Sequence, residues 1–300
     1  MAIIHEFAPA KLNLYLHVTG RRADGYHDLD SLVAFASVGD QIQLEPASVF
    51  SFAIEGPQAI ALTHEPAGKN LVVQAAQALA VLTGNTLDLK LTLIKNLPVA
   101  SGIGGGSSDA AATLRALAQY WELAVTDPLL RDVAAQLGQD VLSCLVVENN
   151  YLIPSGTAPA PELTYTDCVL INPGKALPTP TVYKAYRESG AAFSPVAQLS
   201  EAPRNLAALV ETLRARRNDL YEPACRLMPE IQNVITALEG TDCLLARMSG
   251  SGATCFALYS DHSSACAAAA ALLTVHPDWW IEQAYIPYRK STPEALAAQG

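Results

Sequence analysis

Residues 87–120 read LDLKLTLIKNLPVASGIGGGSSDAAATLRALAQY, and the fold class turns on this stretch. Leu87, Leu89, Leu91 and Leu93 alternate with Asp88, Lys90 and Thr92, the period-two pattern of a half-buried strand. From about residue 107 the sequence has a polar start followed by strong helix formers. Between strand and helix, four glycines fall within five positions: Gly102, Gly104, Gly105 and Gly106. Glycine permits positive φ and removes the side chains that would hold a ligand off, so backbone N–H groups can converge there. Next to a helix start, those donors and the positive helix end form a site suited to phosphate, and the Ser107 and Ser108 hydroxyls add donors.

Outward from that stretch, residues 70–82 have helical periodicity with Asn70 as N-cap and Gly84 just past the end. Residues 3–54 read as short antiparallel strands separated by turn chemistry, including GRRADGYH. Asp127 and Pro128 open a further helix that stops at Gly138, with Asp140 directly after it. A Pro-, Thr- and Ser-rich stretch over 149–167 places a lobe boundary there, giving domains 1–160 and 161–300. Beyond it we expect strands at 168–172, 244–248 and 254–259, and helices at 181–188, 205–215, 222–238 and through the alanine run 265–272. Strands and helices mixed without strict alternation predict α+β in both halves.

Composition narrows the function. The chain has 300 residues, of which 50% are hydrophobic and 16% charged, a globular balance large enough for two lobes with a cleft between them. A net charge of −10 argues against nucleic acid or an anionic membrane surface as partner. An anionic substrate must then be held by a local site of a few cations and backbone N–H groups. The six cysteines are spaced too widely for a redox pair or a zinc cluster. With no stretch of membrane-spanning length in the sequence, we expect a soluble protein in a reducing, cytoplasmic compartment.

Two familiar phosphate loops are excluded by the letters. A Walker A loop ends Gly-Lys-Ser/Thr, whereas this one ends Gly-Ser-Ser-Asp at 106–109. A dinucleotide fingerprint needs G-x-G-x-x-G, but Ser107 stands three positions after Gly104 and Asp109 three after Gly106. What the letters do resemble, in PVASGIGGGSSDAA at 98–111, is the motif P-x-x-x-G-L-G-x-S-S-x-A-A of the superfamily containing galactokinase, homoserine kinase and mevalonate kinase. PAKLNLYLHVTGRRADGYHDL at 9–29 and ARMSGSGATCFALY at 246–259 fit the same superfamily in the same order. The first of these is similar to the 4-diphosphocytidyl-2-C-methyl-D-erythritol kinase family, across nearly the whole chain.

The resemblance implies a two-lobed small-molecule kinase. Its N-terminal lobe would carry the glycine loop, and its C-terminal lobe would be a ferredoxin-like α/β sandwich. It implies ATP with magnesium, held by the loop residues Pro98, Val99, Ala100, Ser101, Gly102, Ile103, Gly104, Gly105, Gly106, Ser107 and Ser108, with Asn70 and Lys95 bordering the adenine. No metal ligand is identified. Lys11 and Asp140 match the family's catalytic pair; by themselves, the first reads as a surface lysine and the second equally as a helix cap. Tyr26 and His27 match positions that hold cytosine, and Tyr183 falls where a second aromatic faces it. Asn13 and Thr179 fall near the reacting end of the substrate, the cytidyl diphosphate of methylerythritol. The SGSG turn at 249–252 is either a diphosphate contact or a tight strand connection. A monomer or weak homodimer is expected.

A carboxylate beside an ammonium suits a hydroxyl nucleophile. An alcohol with a pKa near ~16 against a carboxylate near ~4 sets a gap of about 16 kcal/mol for complete prior deprotonation, so the proton must leave late. Two departures stand out: QDVLSC at 139–144 lacks the proline usual after the aspartate, and NNYLIPSGTAP at 149–159 replaces a G-x-G-E turn. They leave open the local shape behind Asp140. The alternatives are a superfamily kinase acting on homoserine or a mevalonate derivative, and a catalytically silent nucleotide sensor.

Overall fold

In the computed structural model, residues 3–23, 25–124 and 127–287 are described. The N-terminal half contains β1 (Ile4–Asn13), β2 (His17–Arg21), β3 (His27–Pro46), β4 (Ser51–Glu55), α1 (Leu71–Thr83), β5 (Leu89–Ile94), α2 (Gly105–Tyr120), α3 (Pro128–Leu137), α4 (Gln139–Cys144), β6 (Asn150–Ile153) and β7 (Gly156–Pro159). The second half contains β8 (Thr166–Asn172), α5 (Thr179–Glu188), α6 (Leu206–Arg214), α7 (Tyr221–Leu227), α8 (Glu230–Glu239), β9 (Leu245–Met248), β10 (Cys255–Leu258), α9 (His262–Val275) and β11 (Trp280–Ile286). None of the described helices is long and apolar enough to cross a membrane.

The expected short strands near the N-terminus are organised by one long one. β3 runs for 20 residues and pairs antiparallel with β1, β2, β5 and β6. β1 slips register against β3 between Pro9 and Lys11. A bulge there frees the Lys11 N–H from the ladder, and it donates instead to Ile103 O of the glycine loop at 2.9 Å. α1 and α2 cover one face of this sheet, burying Val72, Ala76 and Leu79 of α1 and Ala110, Leu114 and Leu117 of α2. The capping chemistry of α1 is as read from the sequence: Asn70 Oδ1 accepts from Val72 N, and Gly84 is left-handed at the C-terminus.

The second sheet has the order β11-β8-β10-β9, entirely antiparallel. With helices connecting β8 to β9 and β10 to β11, this is the split βαβ arrangement of a ferredoxin-like sandwich. Both faces of its central strands are covered. Val169, Ile171, Cys255 and Ala257 face one cluster with α5, α7, α8 and α9, while Cys168, Leu170, Phe256 and Leu258 face another with Leu12, Leu14 and Tyr15 of the N-terminal sheet. Because residues alternate sides, a strand covered twice is apolar throughout. Each fully buried Leu or Phe in that shared layer contributes about 1.5–3 kcal/mol, which ties the two halves together. Arg247 adds polar stitching, donating to Leu14 O at 2.9 Å and to Leu213 O and Arg216 O at 2.9 Å; burial lowers its pKa to about 10.

Several sequence expectations change. The 222–238 helix is two helices, broken at Met228 and Pro229 because proline cannot continue the ladder of α7. The Pro-rich stretch contains the hairpin β6–β7, which joins the first sheet. Asp140 directly follows the helix that stops at Gly138, as read, but it is not a cap: it lies in the first turn of a short helix, α4, whose N-cap is Gly138. α2 begins two residues earlier than read, at Gly105. β11 had no counterpart in the sequence reading.

Candidate active site

The glycine loop, α4 and the second sheet converge on a cleft of about 540 Å³. Its first wall is the loop itself. Gly102 is left-handed at φ 77, and a Cβ there would stand 2.5 Å from Ser249 O and 2.6 Å from Gly252 N. Only glycine lets the loop lie so close to the turn after β9. Gly104, at φ 64, is the N-cap of α2, where an added Cβ would be 3.0 Å from Lys11 Cβ. The Ser108 N–H closes the first turn onto Gly104 O at 2.8 Å. The N–H groups of Gly105, Gly106 and Ser107 therefore have no intrahelical partner, and they offer a donor set at the positive end of the helix.

Pro98, Val99, Ala100, Ser101, Gly102, Gly104, Gly105, Gly106 and Ser107 line the cleft. Ile103 and Ser108 do not: Ile103 is buried in the layer between the sheets, and Ser108 Oγ donates to Pro9 O at 2.7 Å. The Ser108 hydroxyl is thus spent on fixing α2 to β1, a correction to its reading as a free donor. Ser101 Oγ likewise closes onto Pro98 O at 2.6 Å.

Lys11 and Asp140 meet at the cleft, Nζ to Oδ1 at 2.9 Å, with the lysine 4% and the aspartate 45% exposed. They arrive from distant parts of the chain, and each arrival has a physical cause. The β1 bulge and the Lys11 N–H to Ile103 O bond set the lysine. α4 is held by Arg115, which donates to the carbonyls of Cys144 at 2.8 Å and Leu145 at 3.3 Å, at the end of α4, while its Nε bonds Glu6 at 2.7 Å and its Nη2 Phe7 O at 2.8 Å. A guanidinium at a helix C-terminus satisfies orphan carbonyls and opposes the dipole.

Lys95 lines the cleft, but its ammonium is engaged. It is 3% exposed, 2.5 Å from Asp40 Oδ2 and 2.7 Å from Asp109 Oδ2. Its Nζ lies 3.0 Å from the position a Cβ on Gly105 would take, so a fixed positive charge sits beneath the first turn of α2. Burial works against the Lys95 charge, but Asp109 and Asp40 outweigh it and leave its pKa raised. Burial also drives the Asp109 carboxyl upward, against the pull of Lys95 and with the push of Asp40. Asp40 Oδ1 accepts the N–H groups of Asn96 and Leu97, which anchors the chain entering the loop. Asp109 Oδ1 is buried without a hydrogen-bond partner in the cleft wall.

The far wall comes from the second half of the chain. Thr179 at the start of α5 meets Ser251 Oγ at 2.8 Å, and both line the cleft with Tyr183 and Gly250. Ser249 Oγ donates to Gly102 O at 3.0 Å and accepts the Asn13 N–H at 3.1 Å. The SGSG turn therefore does two jobs, connecting β9 to β10 and bracing the glycine loop, while presenting Gly250 and Ser251 to the cleft. Asn13 also lines the cleft, its Nδ2 donating to Ser31 Oγ at 2.7 Å. Burial and the nearby Asp140 carboxylate raise the Tyr183 hydroxyl pKa. His27 stacks on Tyr183 with ring centroids 5.1 Å apart, and burial with Arg21 and Arg187 lowers its pKa. Tyr26 is 74% exposed, and neither it nor His27 lines the cleft.

Asn70 caps α1 and also lines the cleft. Beside it lie residues the sequence reading missed: Ala61, Leu62, Glu65 and Lys69. Ala61, Leu62 and Lys69 come from two short 3-10 turns, Ala59–Leu62 and Ala67–Lys69, and Glu65 from the connection between them, none of which carries a periodic signal.

Residues 70–146 match the N-terminal domain of the GHMP kinases and residues 198–278 their C-terminal domain. A 4-diphosphocytidyl-2-C-methyl-D-erythritol kinase of Rhodospirillum rubrum is 49% identical over 278 residues, covering 92% of this chain and 90% of that one. A crystal structure of a 4-(cytidine 5'-diphospho)-2C-methyl-D-erythritol kinase superposes with a TM-score of 0.74 at 32% identity, covering 94% of this chain and 99% of the other. Homoserine kinase from Cytophaga hutchinsonii shares the fold, with a TM-score of 0.70 at 16% identity over 94% of each chain.

Removing the ammonium from the Lys95 cluster would leave two carboxylates buried together. Lys95→Met is expected to destabilise the protein by about 3–5 kcal/mol in urea unfolding, the cost of an uncompensated buried charge. A loss below about 1 kcal/mol would mean that the cluster is not charged as described.

Proposed function

From the premise that the chain belongs to the GHMP kinases and, within them, to the 4-diphosphocytidyl-2-C-methyl-D-erythritol kinases, we propose that its reaction runs between Asp140, Lys11 and the start of α2. The protein is an ATP-dependent kinase that phosphorylates the 2-hydroxyl of 4-diphosphocytidyl-2-C-methyl-D-erythritol, a step of the non-mevalonate route to isoprenoid precursors. The observation that carries the assignment of roles is the 2.9 Å contact between Lys11 and Asp140 in the same cleft as the glycine loop and Tyr183.

The ATP phosphates take the N–H groups of Gly105, Gly106 and Ser107, with the Lys95 charge beneath them. The substrate hydroxyl lies against Asp140. Its oxygen forms the new bond to the γ-phosphorus as the bridge to ADP breaks, and Asp140 accepts the proton late in that transfer. Lys11 keeps the carboxylate ionised and offsets negative charge at the transferring group. Asn13, Thr179 and Ser251 border the reacting end. The cytosine is held by the group of Tyr26, His27 and Tyr183, with His27 turning off Tyr183 to admit the base and the neutral imidazole reading its edge. In this reading residues 1–160 are the ATP-binding and catalytic domain and 161–300 the substrate-binding domain, with Asn13, Tyr26 and His27 reaching the substrate from the first.

Magnesium bound with ATP would supply charge neutralisation at the phosphates, and one or two carboxylates of the protein would hold it beside phosphate and water. Among the described residues no cluster of three or more His, Cys, Asp or Glu could hold an ion alone. The orphaned Asp109 Oδ1 and the half-exposed Asp140 are the carboxylates in the cleft wall that fit such a shared role. A monomer or weak homodimer is the working unit in this reading.

Asp140→Asn is expected to lower kcat by about 10²–10⁴-fold while the ATP Kd from calorimetry stays within about threefold; turnover within a few fold of the parent enzyme would remove Asp140 from the role of base. Tyr183→Leu is expected to raise KM for the cytidyl substrate by about 5–100-fold, the worth of one base–aromatic stack, with KM for ATP unchanged. Equal increases for both substrates in steady-state assays would place Tyr183 outside the cytosine site.

A further inference from the structure

Away from the cleft, at the start of α9, three side chains from two elements form a second ordered constellation. His262 Nδ1 lies 3.2 Å from Asp167 Oδ1, and Cys266 Sγ lies 3.4 Å from His262 Nε2. The i, i+4 spacing on α9 stacks the thiol over the imidazole. Asp167, on β8, is 7% exposed and is steadied from β11 by Gln283 Nε2 at 3.4 Å. Gln283 Nε2 also stands 3.3 Å from His262 Nδ1. In the tautomer that donates Nδ1–H to Asp167, with the Gln283 amide donating to the same carboxylate, the Nε2 lone pair faces the thiol, which is the arrangement that lets an imidazole take a thiol proton.

The other five cysteines differ in kind. Cys144, Cys168 and Cys255 are buried, Cys225 and Cys243 are partly so, and Cys266 alone is exposed. Burial raises the pKa of all five, that of Cys144 to about 12. Cys266 is exposed, so a reaction partner reaches it directly from bulk solvent. The group is also remote from phosphoryl transfer. Asp167 lies near one end of β8, and Asn172, whose Nδ2 bonds Thr254 beside the glycine loop, lies at the other, about 17 Å away by strand rise.

We propose that Cys266, with His262 and Asp167, is a reactive thiol site for covalent modification by low-molecular-weight disulfides. His262 takes the S–H proton, and the Cys266 thiolate attacks one sulfur of the disulfide. A new S–S bond forms as the old one breaks, and the departing thiolate takes the proton from the imidazolium. The products are one mixed disulfide on the protein and one small thiol, with no further oxidant consumed.

The size of the effect follows from ionisation. A free thiol with pKa near 8.5 is only about 3% thiolate at pH 7, so assistance is worth up to about 30-fold in rate. The test treats the folded full-length protein with glutathione disulfide at pH 7 and follows adducts by intact mass and peptide mapping. One adduct at Cys266 is expected, absent in Cys266→Ser and slowed about 10–30-fold in His262→Gln. Kinase turnover of His262→Gln, unchanged from the parent, establishes that this variant is folded. An adduct formed first at another cysteine, no adduct, or a His262→Gln rate within twofold of the parent would overturn the proposal.

Discussion

The Lys11–Asp140 contact is the constraint around which the rest of the site is arranged. As a stabilising interaction it is modest, since a pair with one partner 45% exposed is worth roughly 0.2–1 kcal/mol. Its value is positional. A strand bulge, an N–H donated to Ile103 O, a glycine at 104 and the Arg115 grip on α4 all serve to bring one ammonium and one carboxylate together beside the α2 N-terminus. Side chains on rigid elements hold reacting groups in place without reorganisation during the chemical step.

The electrostatic problem is that a chain of net charge −10 must bind ATP and a second diphosphate. In the proposed assignment it is solved locally, with one buried ammonium at Lys95, one near-buried ammonium at Lys11 and the N–H groups of a single helix start. None of these is free to wander, because each is fixed by a carboxylate or by the fold. The Lys95 cluster carries two carboxylates for one cation, and burial first, with Asp40 adding to it against the pull of Lys95, pushes the Asp109 carboxyl above its ordinary range.

How much of this could be read in advance follows from the range of the interactions. The glycine loop and the Asn70 cap are local signals that appear in the letters as glycines and a capping residue, whereas the ferredoxin-like lobe is implied by the family resemblance alone and its strand β11 has no counterpart in the sequence reading. The family resemblance found Lys11 and Asp140, although no local signal distinguishes either from an ordinary surface or capping residue. What stayed hidden depends on contacts across the chain. The Ser108 hydroxyl is consumed by Pro9 O, Lys95 by Asp40 and Asp109, and the SGSG turn by Gly102. The α4 turn in QDVLSC is six residues long and held from outside by Arg115, so no propensity marks it. The break at Pro229, by contrast, is legible in the letters, although the apolar periodicity runs on across it.

The central claim is that Lys11 and Asp140 act as one unit, and a double-mutant cycle on kcat tests it most directly. With Lys11→Met, Asp140→Asn and the double variant assayed for ADP release against saturating ATP and cytidyl substrate, groups that work as a unit lose activity non-additively. The account predicts that the double variant is no slower than the slower single variant, within about threefold. Losses that multiply across the two sites would contradict it.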